Sequence, residues 1–166
     1  MIYVLIPVFN RLNLTIRCIE SLKKQQKHEV LNIVVIDDGS TDGTSLYLKK
    51  NFPDLKILQG TGNLYWGGSV KLGIEYVMNI CSDKDWILTI NNDVELLPDS
   101  IEKLVKVGNL GKRKSLVGAL SVSNEDKKTI IKSGTVVKSW IFNITNHVFK
   151  GLNYKSILNY EPIKVD

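Results

Sequence analysis

Apolar and polar positions follow a regular order over the first hundred residues. Short, mainly apolar runs predict strands, and the continuous run at 2–6 is typical of a strand that is covered on both faces. Apolar residues three or four positions apart predict amphipathic helices between and after these strands. The predicted strands are 2–6, 32–36, 55–58 and 86–90, and the predicted helices are one after Asn10 and those at 46–51, 67–80 and 98–107. This alternation is typical of an α/β fold with a mainly parallel central sheet between two helical layers.

The helical spacing also predicts which residues face the sheet. The predicted apolar faces are Thr15, Cys18, Ile19 and Leu22 in the first helix, and Val70, Ile74, Val77 and Met78 in the helix at 67–80. In the helix at 98–107 the predicted inward residues are Ile101, Leu104 and Val105. Beyond Gly108 the alternation ends. Apolar runs then predict strands at 115–122, at 129–137 with an interruption at Gly134, and at 140–149. We interpret residues 1–166 as a single domain with a ligand-binding part at 1–107 and a second part at 108–166.

The net positive charge of the chain comes from one region. Residues 103–150 hold ten Lys/Arg against only Glu125 and Asp126, whereas residues 1–102 hold ten against thirteen acids. A basic surface favours contact with phosphate groups or with an anionic membrane. A solvated lysine-rich face explains the same pattern. Residues 103–150 are therefore a candidate peripheral membrane contact, and we expect no nucleic-acid partner.

Cysteines, histidines and apolar segments indicate the compartment. Cys18 and Cys81 lie far apart in apolar patterns, which predicts buried thiols in a reducing environment and no metal or redox motif. His28 and His147 have no ligand partner at a suitable spacing. Residues 2–9 lack the flanking features of a signal peptide, and no apolar run approaches the roughly 18 residues of a spanning helix. We expect a cytoplasmic protein, with any membrane contact at the inner face.

A polar cluster follows each predicted strand. The four clusters occupy residues 7–11, 37–42, 60–68 and 91–95. Parallel strands end at the same edge of a sheet, and ligands bind outside those carboxyl ends. Any single cluster can be explained as turn or capping chemistry, as for Ser40 and Asp42. Four clusters at one edge indicate a ligand site.

The second and third clusters suit a nucleotide. Of the adjacent acids Asp37 and Asp38, one carboxylate can accept hydrogen bonds from a nucleobase or a ribose. The glycine-rich segment 60–68 precedes a helix whose amino end can hold an anion. It is not the dinucleotide fingerprint, because Tyr65 stands at the third glycine position. Tyr65 and Trp66 are interpreted as packing residues.

The fourth cluster is a candidate metal site. Asp93 follows a strand, with Asn92 beside it, and a carboxylate there suits a hard cation such as Mg²⁺ or Mn²⁺. One carboxylate is too few for a protein cage, so the ion would keep waters and take further ligands from a diphosphate. An Asx-turn before Pro98 is the alternative explanation.

Taken together, these clusters resemble the family 2 glycosyltransferases, and most nearly the bacterial rhamnosyltransferase-like branch. The segments that carry the resemblance are PVFNR at 7–11, VIDDGSTDGT at 35–44, GNLYWGG at 62–68 with Gly73, and NNDV at 91–94. The resemblance covers residues 1 to about 100. It implies the GT-A fold, a Rossmann-like α/β/α architecture, and a nucleotide-diphosphate sugar donor. It also implies inverting transfer to a glycan or lipid-linked acceptor in bacterial surface polysaccharide synthesis.

The resemblance assigns roles at the matching positions. The implied donor-binding residues are Pro7, Phe9, Asn10, Asp37 or Asp38, Asn63, Gly68, Asn91 and Asn92. Asp93 matches the last acid of the D-x-D motif and would bind the Mn²⁺ or Mg²⁺ that bridges the diphosphate. Asn91 stands where many members have the first aspartate. This replacement removes a charge and predicts a modest metal affinity.

The family's catalytic base is an acid in a later motif, for which this sequence has no convincing counterpart. Glu125, Asp126 and Glu161 are the remaining candidates, and the first two lie in a polar turn that predicts a surface position. We therefore expect the acceptor-side part to be incomplete and sugar transfer to be poor. A nucleotide-sugar binding module without turnover is an alternative. A sugar nucleotidyltransferase is another, but it would need a glycine- and arginine-rich loop after the first strand.

Overall fold

The structure is a computed structural model that describes residues 1–25, 30–110, 116–132, 135–139, 144–147 and 149–157. The chain divides into two compact units, Met1–Val105 and Lys106–Asp166. The interpretation of the whole chain as one domain remains a prediction. Among the described helices, none combines the length and the apolar character that crossing a membrane requires.

The first unit is built on a parallel sheet. Its strands are β1 (Ile2–Val8), β2 (Leu31–Asp37), β3 (Lys56–Gln59) and β4 (Trp86–Thr89). The helices are α1 (Leu12–Lys23), α2 (Thr44–Asn51), α3 (Tyr65–Met78) and α4 (Ser100–Leu110), which begins in this unit. The strand order is β3-β2-β1-β4, and all neighbouring strands are parallel.

The side chains of β1 alternate between two hydrophobic cores because successive residues of a strand point to opposite faces. One core joins even-numbered residues of β1 to α1, α2 and α4, and includes Val4, Ile6, Cys18, Ile19, Leu22, Leu48 and Ile101. The other joins Leu5 to Val34, Ile36 and Val77 of α3. Full burial of one such aliphatic side chain contributes about 1.5–3 kcal/mol. Helices therefore cover both faces, and the predicted three-layer α/β/α fold is confirmed.

The predicted inward face of α1 is also confirmed. Thr15, Cys18, Ile19 and Leu22 are all buried. For the thiols, the prediction of burial holds for Cys18, whereas Cys81 is only half-buried. Burial raises the pKa of the Cys18 thiol to about 12, and the negative charges of Asp93 and Glu95 add to this effect.

Strand β1 runs two residues further than predicted, through Pro7 to Val8. The carbonyl of Leu5 accepts a hydrogen bond from Ile90 N at 3.0 Å, and that of Val8 accepts one from Asp38 N at 2.8 Å. Alternate residues of β1 thus direct their backbone groups to the β4 side and to the β2 side. The backbone nitrogen of Pro7, which carries no hydrogen, is on the β4 side. Pairing of β1 with β4 ends at Leu5, two residues before Pro7. Proline is tolerated there because no ladder hydrogen bond is lost.

Helix α3 presents a different face to the sheet from the one predicted. Its buried residues are Ser69, Gly73 and Val77. Of the predicted apolar face, Val77 is buried, whereas Ile74 and Met78 are 38% and 63% exposed, so this face as a whole does not cover the sheet. A Cβ at Gly73 would lie 3.0 Å from Ile36 Cδ1 and 3.2 Å from either Cδ of Leu5. The helix approaches the sheet so closely that small residues occupy the contact.

Strand β4, which leads to the metal-site cluster, is less covered than predicted. Along Trp86–Thr89 the residues alternate between half-buried and exposed. Within the described part of the chain, β4 pairs with β1 alone. An outer strand has one unpaired side and a partly open face, so the apolar run does not reflect burial on both faces.

The second unit contains short antiparallel pairs. The strands are β5 (Ser121–Val122), β6 (Ile130–Lys132), β7 (Thr135–Ser139) and β8 (Ile144–His147), and a 3-10 turn spans Tyr154–Ile157. Strand β5 pairs with β6, and β7 pairs with β8. The strand predicted at 115–122 is thus wrong for 116–120. Residues 115, 133–134, 140–143 and 148 of the predicted strands lie outside the described residues.

Candidate functional site

The turn after β1 is fastened to the turn after β2. Asn10 and Arg11 both adopt left-handed backbone conformations, with φ of 57° and 63°. Such conformations cost a non-glycine residue roughly 1–2 kcal/mol. Asn10 N donates to Ser40 Oγ at 2.7 Å, and Thr41 N donates to Asn10 Oδ1 at 2.8 Å. These bonds hold the strained turn and account for the observed position of Asn10.

Asp42 connects the starts of two helices. Its Oδ2 accepts from Leu12 N at 3.0 Å, at the beginning of α1. At the beginning of α2, the Oδ1 of Asp42 accepts from the backbone N of Thr44 at 3.1 Å and from the Oγ1 of Thr44 at 2.5 Å. Partial burial raises the pKa of Asp42, but the hydrogen bonds from Thr44 and Leu12 outweigh it and leave the pKa below its ordinary value. The capping explanation for Asp42 is confirmed.

The adjacent acids at the end of β2 are buried and accept hydrogen bonds from the protein. Asp37 Oδ1 accepts from Ser40 N at 2.8 Å, and its Oδ2 accepts from Ser45 Oγ. Asp38 Oδ1 accepts from Gly62 N at 2.8 Å. Its Oδ2 accepts from Leu64 N at 2.8 Å and from Tyr65 N at 3.0 Å. Asp38 therefore holds the glycine-rich loop in place, and a contact of either acid with a base remains a prediction.

The loop after β3 fits closely around Asp38. A Cβ at Gly60 would lie 2.5 Å from Asp38 Oδ1 and 2.9 Å from Asp38 Cα, so glycine is required there. Gly62 has φ of +87°, a conformation that glycine adopts readily. The loop leaves Asn63 exposed and Gly68 half-buried in the first turn of α3. Their donor-binding roles remain predictions.

The three residues 91–93 point in different directions. Asn91 is exposed, and its Oδ1 accepts from Trp66 Nε1 at 2.8 Å. Asn92 is 8% exposed, and its Nδ2 donates to Thr15 Oγ1 of α1 at 3.1 Å. Asp93 is the charged residue of the three, and 44% of its side chain is exposed to solvent. Asn92 anchors the segment to α1, and a donor contact of Asn92 remains a prediction.

Two arginines lie beside the acids of this segment. Arg11 Nη1 is 3.5 Å from Asp93 Oδ2. Arg17 Nη2 forms an ion pair with Glu95 Oε1. Arg11 belongs to the first cluster, but its sequence position alone gave it no role. An arginine directly after an asparagine in a strand-end turn was the available signal.

The residues around Asp93 fit a divalent cation if a phosphate-bearing ligand supplies further oxygens to it. Within the described ranges, no three His, Cys, Asp or Glu side chains converge on a metal-binding position. Asp93 offers hard, accessible oxygens, and the guanidinium of Arg11 already places positive charge next to them. A hard cation with few protein ligands completes its shell with water and phosphate oxygens. The donor set therefore suits Mg²⁺ or Mn²⁺ only together with a phosphate-bearing ligand.

Exposed aromatic rings surround this edge of the sheet. Phe9 is 56% exposed after β1, and Tyr65 and Trp66 are 80% and 57% exposed at the start of α3. The interpretation of Tyr65 and Trp66 as packing residues is wrong. Pro7, by contrast, is buried within β1. Phe9 and Trp66 are open to a planar ligand, while any contribution of Pro7 comes through its backbone.

The candidate bases lie in the second unit or outside the described residues. Glu125 and Asp126 are exposed, as predicted. Asp126 accepts hydrogen bonds from Thr129 Oγ1, Thr129 N and Lys128 N, and these lower its pKa to about 2. A carboxylate of such low basicity is a weak proton acceptor. Glu161 and His28 lie outside the described residues.

Comparison with known proteins gives this site a family context. The sequence model of "Glycosyl transferase family 2" matches residues 3–160. An N-acetylglucosaminyl-diphospho-decaprenol L-rhamnosyltransferase of Mycobacterium tuberculosis is 28% identical over 96 residues, covering 54% of this chain and 31% of that protein. The chain thus spans about a third of the length of this curated relative.

Solved structures agree on the architecture. S. aureus TarS in complex with UDP matches with a TM-score of 0.56 at 20% identity, over 66% of this chain and 32% of that chain. The mannosyltransferase PcManGT from Pyrobaculum calidifontis, in complex with GDP-Man and Mn²⁺, matches with a TM-score of 0.54 at 20% identity, over 63% and 31%. These matches confirm the predicted GT-A fold. Because the family match spans nearly the whole chain, the protein belongs to glycosyl transferase family 2.

Proposed function

We propose that the protein transfers a sugar, with inversion, from a nucleotide-diphosphate donor to a glycan or lipid-linked acceptor. The observation that carries the proposal is the exposed carboxylate of Asp93 beside an arginine, at the sheet edge where the turns after β1 and β2 are joined. This arrangement supports binding of a diphosphate through charge. The family membership supports the reaction class.

The residues of the first unit have separable roles in this proposal. Phe9 and Asn10 would line the nucleotide, and Asn63 and Gly68 would border the sugar side. The network around Asp37 and Asp38 would keep these groups in position, because preorganised polar groups need no rearrangement during the reaction. When bound, a divalent cation at Asp93 would neutralise the diphosphate as it leaves.

The relatives support the classes of donor and acceptor. TarS binds UDP in its solved structure, and PcManGT binds GDP-Man together with Mn²⁺. The rhamnosyltransferase of M. tuberculosis is named for a diphospho-decaprenol acceptor. We therefore infer a nucleoside diphosphate sugar as donor and include lipid-linked glycans among the acceptors. A cytoplasmic location and a membrane contact through residues 103–150 belong to the same proposal.

A nucleotide-sugar binding module without turnover is the second candidate. The observation in its favour is the low pKa of Asp126, which makes one of the two candidate turn acids a poor base. In this case the donor would bind as proposed, and no sugar would reach an acceptor.

The test is calorimetric titration with UDP, GDP and dTDP in Mn²⁺ or in chelator. We expect one of these nucleotides to bind in Mn²⁺ and to bind at least tenfold less tightly in chelator. Asp93→Asn keeps the side-chain shape and removes the charge, so it should abolish this metal dependence without changing the melting temperature. Equal binding of the parent in chelator would contradict the metal role and favour the Asx-turn explanation. Product analysis with the sugar nucleotide separates transfer from binding alone.

A further inference from the structure

The ion pair between Arg11 and Asp93 joins the first strand-end cluster to the fourth. We propose that Arg11 exchanges partners during donor binding: it neutralises Asp93 in the nucleotide-free protein and contacts the diphosphate once a cation occupies Asp93. This inference rests on the proposed function, because it requires a cation at Asp93 and a diphosphate beside it. It gives Arg11 a binding role that its surface position does not require.

The backbone of Arg11 is held by hydrogen bonds, whereas its side chain is exposed. Its carbonyl accepts from Thr15 N and from Thr15 Oγ1, both at 3.1 Å. The preceding Asn10 is held by Ser40 and Thr41, and the following Leu12 N is bonded to Asp42. The Arg11 side chain remains 61% exposed. The protein therefore maintains a strained turn that presents an exposed guanidinium at one point of the site.

The ion pair itself is of a kind that exchanges easily. The 3.5 Å between Arg11 Nη1 and Asp93 Oδ2 exceeds the length of a strong charge-assisted hydrogen bond. Exposed ion pairs contribute little to stability, because water screens both charges. A divalent cation carries twice the charge of the guanidinium and repels it, so binding of the cation displaces Arg11.

The displaced guanidinium remains next to the ligand that brings the cation. A diphosphate bound to a cation at Asp93 lies within reach of a side chain that had contacted the same carboxylate. The planar guanidinium can donate two parallel hydrogen bonds to phosphate oxygens. Charge also favours the exchange, because each positive group then has an anionic partner. The cation is paired with Asp93, and the guanidinium of Arg11 is paired with the diphosphate.

Arg17 provides a matched control on the same face of the structure. It belongs to α1, it pairs with Glu95 two residues after Asp93, and its exposure of 51% is comparable. Arg11→Gln and Arg17→Gln remove the same charge from neighbouring ion pairs. A general loss of positive potential affects both variants equally, whereas an exchange of partners affects only Arg11→Gln.

The experiment measures two quantities with UDP or GDP, whichever binds the parent more tightly. The first is the nucleotide affinity in saturating Mn²⁺, which should fall roughly tenfold in Arg11→Gln. The second is the Mn²⁺ concentration that gives half of the gain in nucleotide binding. It should decrease about two- to fivefold in Arg11→Gln, since the competing cation is removed. Arg17→Gln should change neither quantity by more than about twofold, and Arg11→Lys should restore part of the affinity.

The outcomes separate this inference from the proposed function. A parent protein whose nucleotide binding does not depend on Mn²⁺ overturns the metal role in the proposed function, and the exchange with it. A metal-dependent parent whose Arg11→Gln variant behaves like Arg17→Gln overturns the exchange alone. Thermal melts of both variants check the fold. If Arg11→Gln unfolds, Arg11→Asn replaces it as the neutral variant, because asparagine tolerates the left-handed backbone at this position. The same two changes in Arg11→Asn support the exchange, and parent values of both quantities overturn it.

Discussion

The indole N–H of Trp66 donates a hydrogen bond to Oδ1 of Asn91 over 2.8 Å. This bond joins the start of α3 to the segment that follows β4. The resemblance to the family's D-x-D motif would put Asn91 at the place of the first acid, and in this structure its amide oxygen accepts the indole hydrogen bond. An indole can only donate, so Asn91 must present an acceptor.

Asn91→Asp should retain the Trp66 contact and add a charge near Asp93. A carboxylate accepts the indole hydrogen bond at least as well as an amide. The second carboxylate should strengthen the cation site, so we expect the Mn²⁺ requirement for diphosphate binding to decrease about tenfold, or roughly 1.4 kcal/mol. Titration at several Mn²⁺ concentrations measures this. Trp66→Phe, combined with Asn91→Asp, controls for loss of the indole bond, and an unchanged Mn²⁺ requirement would contradict the prediction.

Asp38→Ala should destabilise the protein more than Asp37→Ala. Asp38 is 4% exposed and accepts from three backbone N–H groups, which would lose their partner. Unsatisfied buried donors cost about 1–3 kcal/mol each, and partial rehydration of the loop reduces the sum to about 2–4 kcal/mol. Urea unfolding measures the free energy of unfolding. Equal stability of the two variants would show that the loop does not depend on Asp38.

Gly73→Ala and Gly67→Ala should change stability in opposite directions. Both glycines lie in α3, and replacing a helical glycine by alanine ordinarily stabilises by about 0.5–1 kcal/mol. At Gly67 the added Cβ would meet no atom within 4 Å apart from its chain neighbours and the nearby backbone of its own helix. At Gly73 the Cβ would press on Leu5 and Ile36, and overpacking of this kind costs about 1–3 kcal/mol. Thermal unfolding measures both, and a stabilised Gly73→Ala variant would argue against the close contact of α3 with the sheet.

Asp42→Asn should reduce the loss of stability in acid. The folded pKa of Asp42 lies below its ordinary value. Its charge therefore contributes stability above the unfolded pKa of about 3.9, and this contribution is lost as the pH falls through the lowered folded pKa. Asn can still cap a helix, but it does not titrate. We expect unfolding free energies measured between about pH 5 and pH 3 to fall less steeply for Asp42→Asn than for the parent; parallel curves would contradict this.

The sequence by itself determined the elements, their order and the edge of the sheet that carries the site. These depend on local periodicity, because the apolar runs and the helical spacing are present within each segment. The inward face of α1 is an example, since Cys18, Ile19 and Leu22 are buried as their spacing predicts. The four strand-end clusters likewise followed from their sequence positions and agree with the family match.

Only the tertiary structure decided what each polar side chain contacts. Asn92 and Asp93 are neighbours in sequence, yet one is buried against Thr15 and the other faces solvent beside Arg11. The partners of Asp38 lie 24 to 27 residues away, and no local pattern indicates them. The inward face of α3 and the passage of β1 through Pro7 also depended on packing with other elements. Periodicity records which residues share a face, whereas the distance between faces and the pairing of their polar groups arise only when the segments pack together.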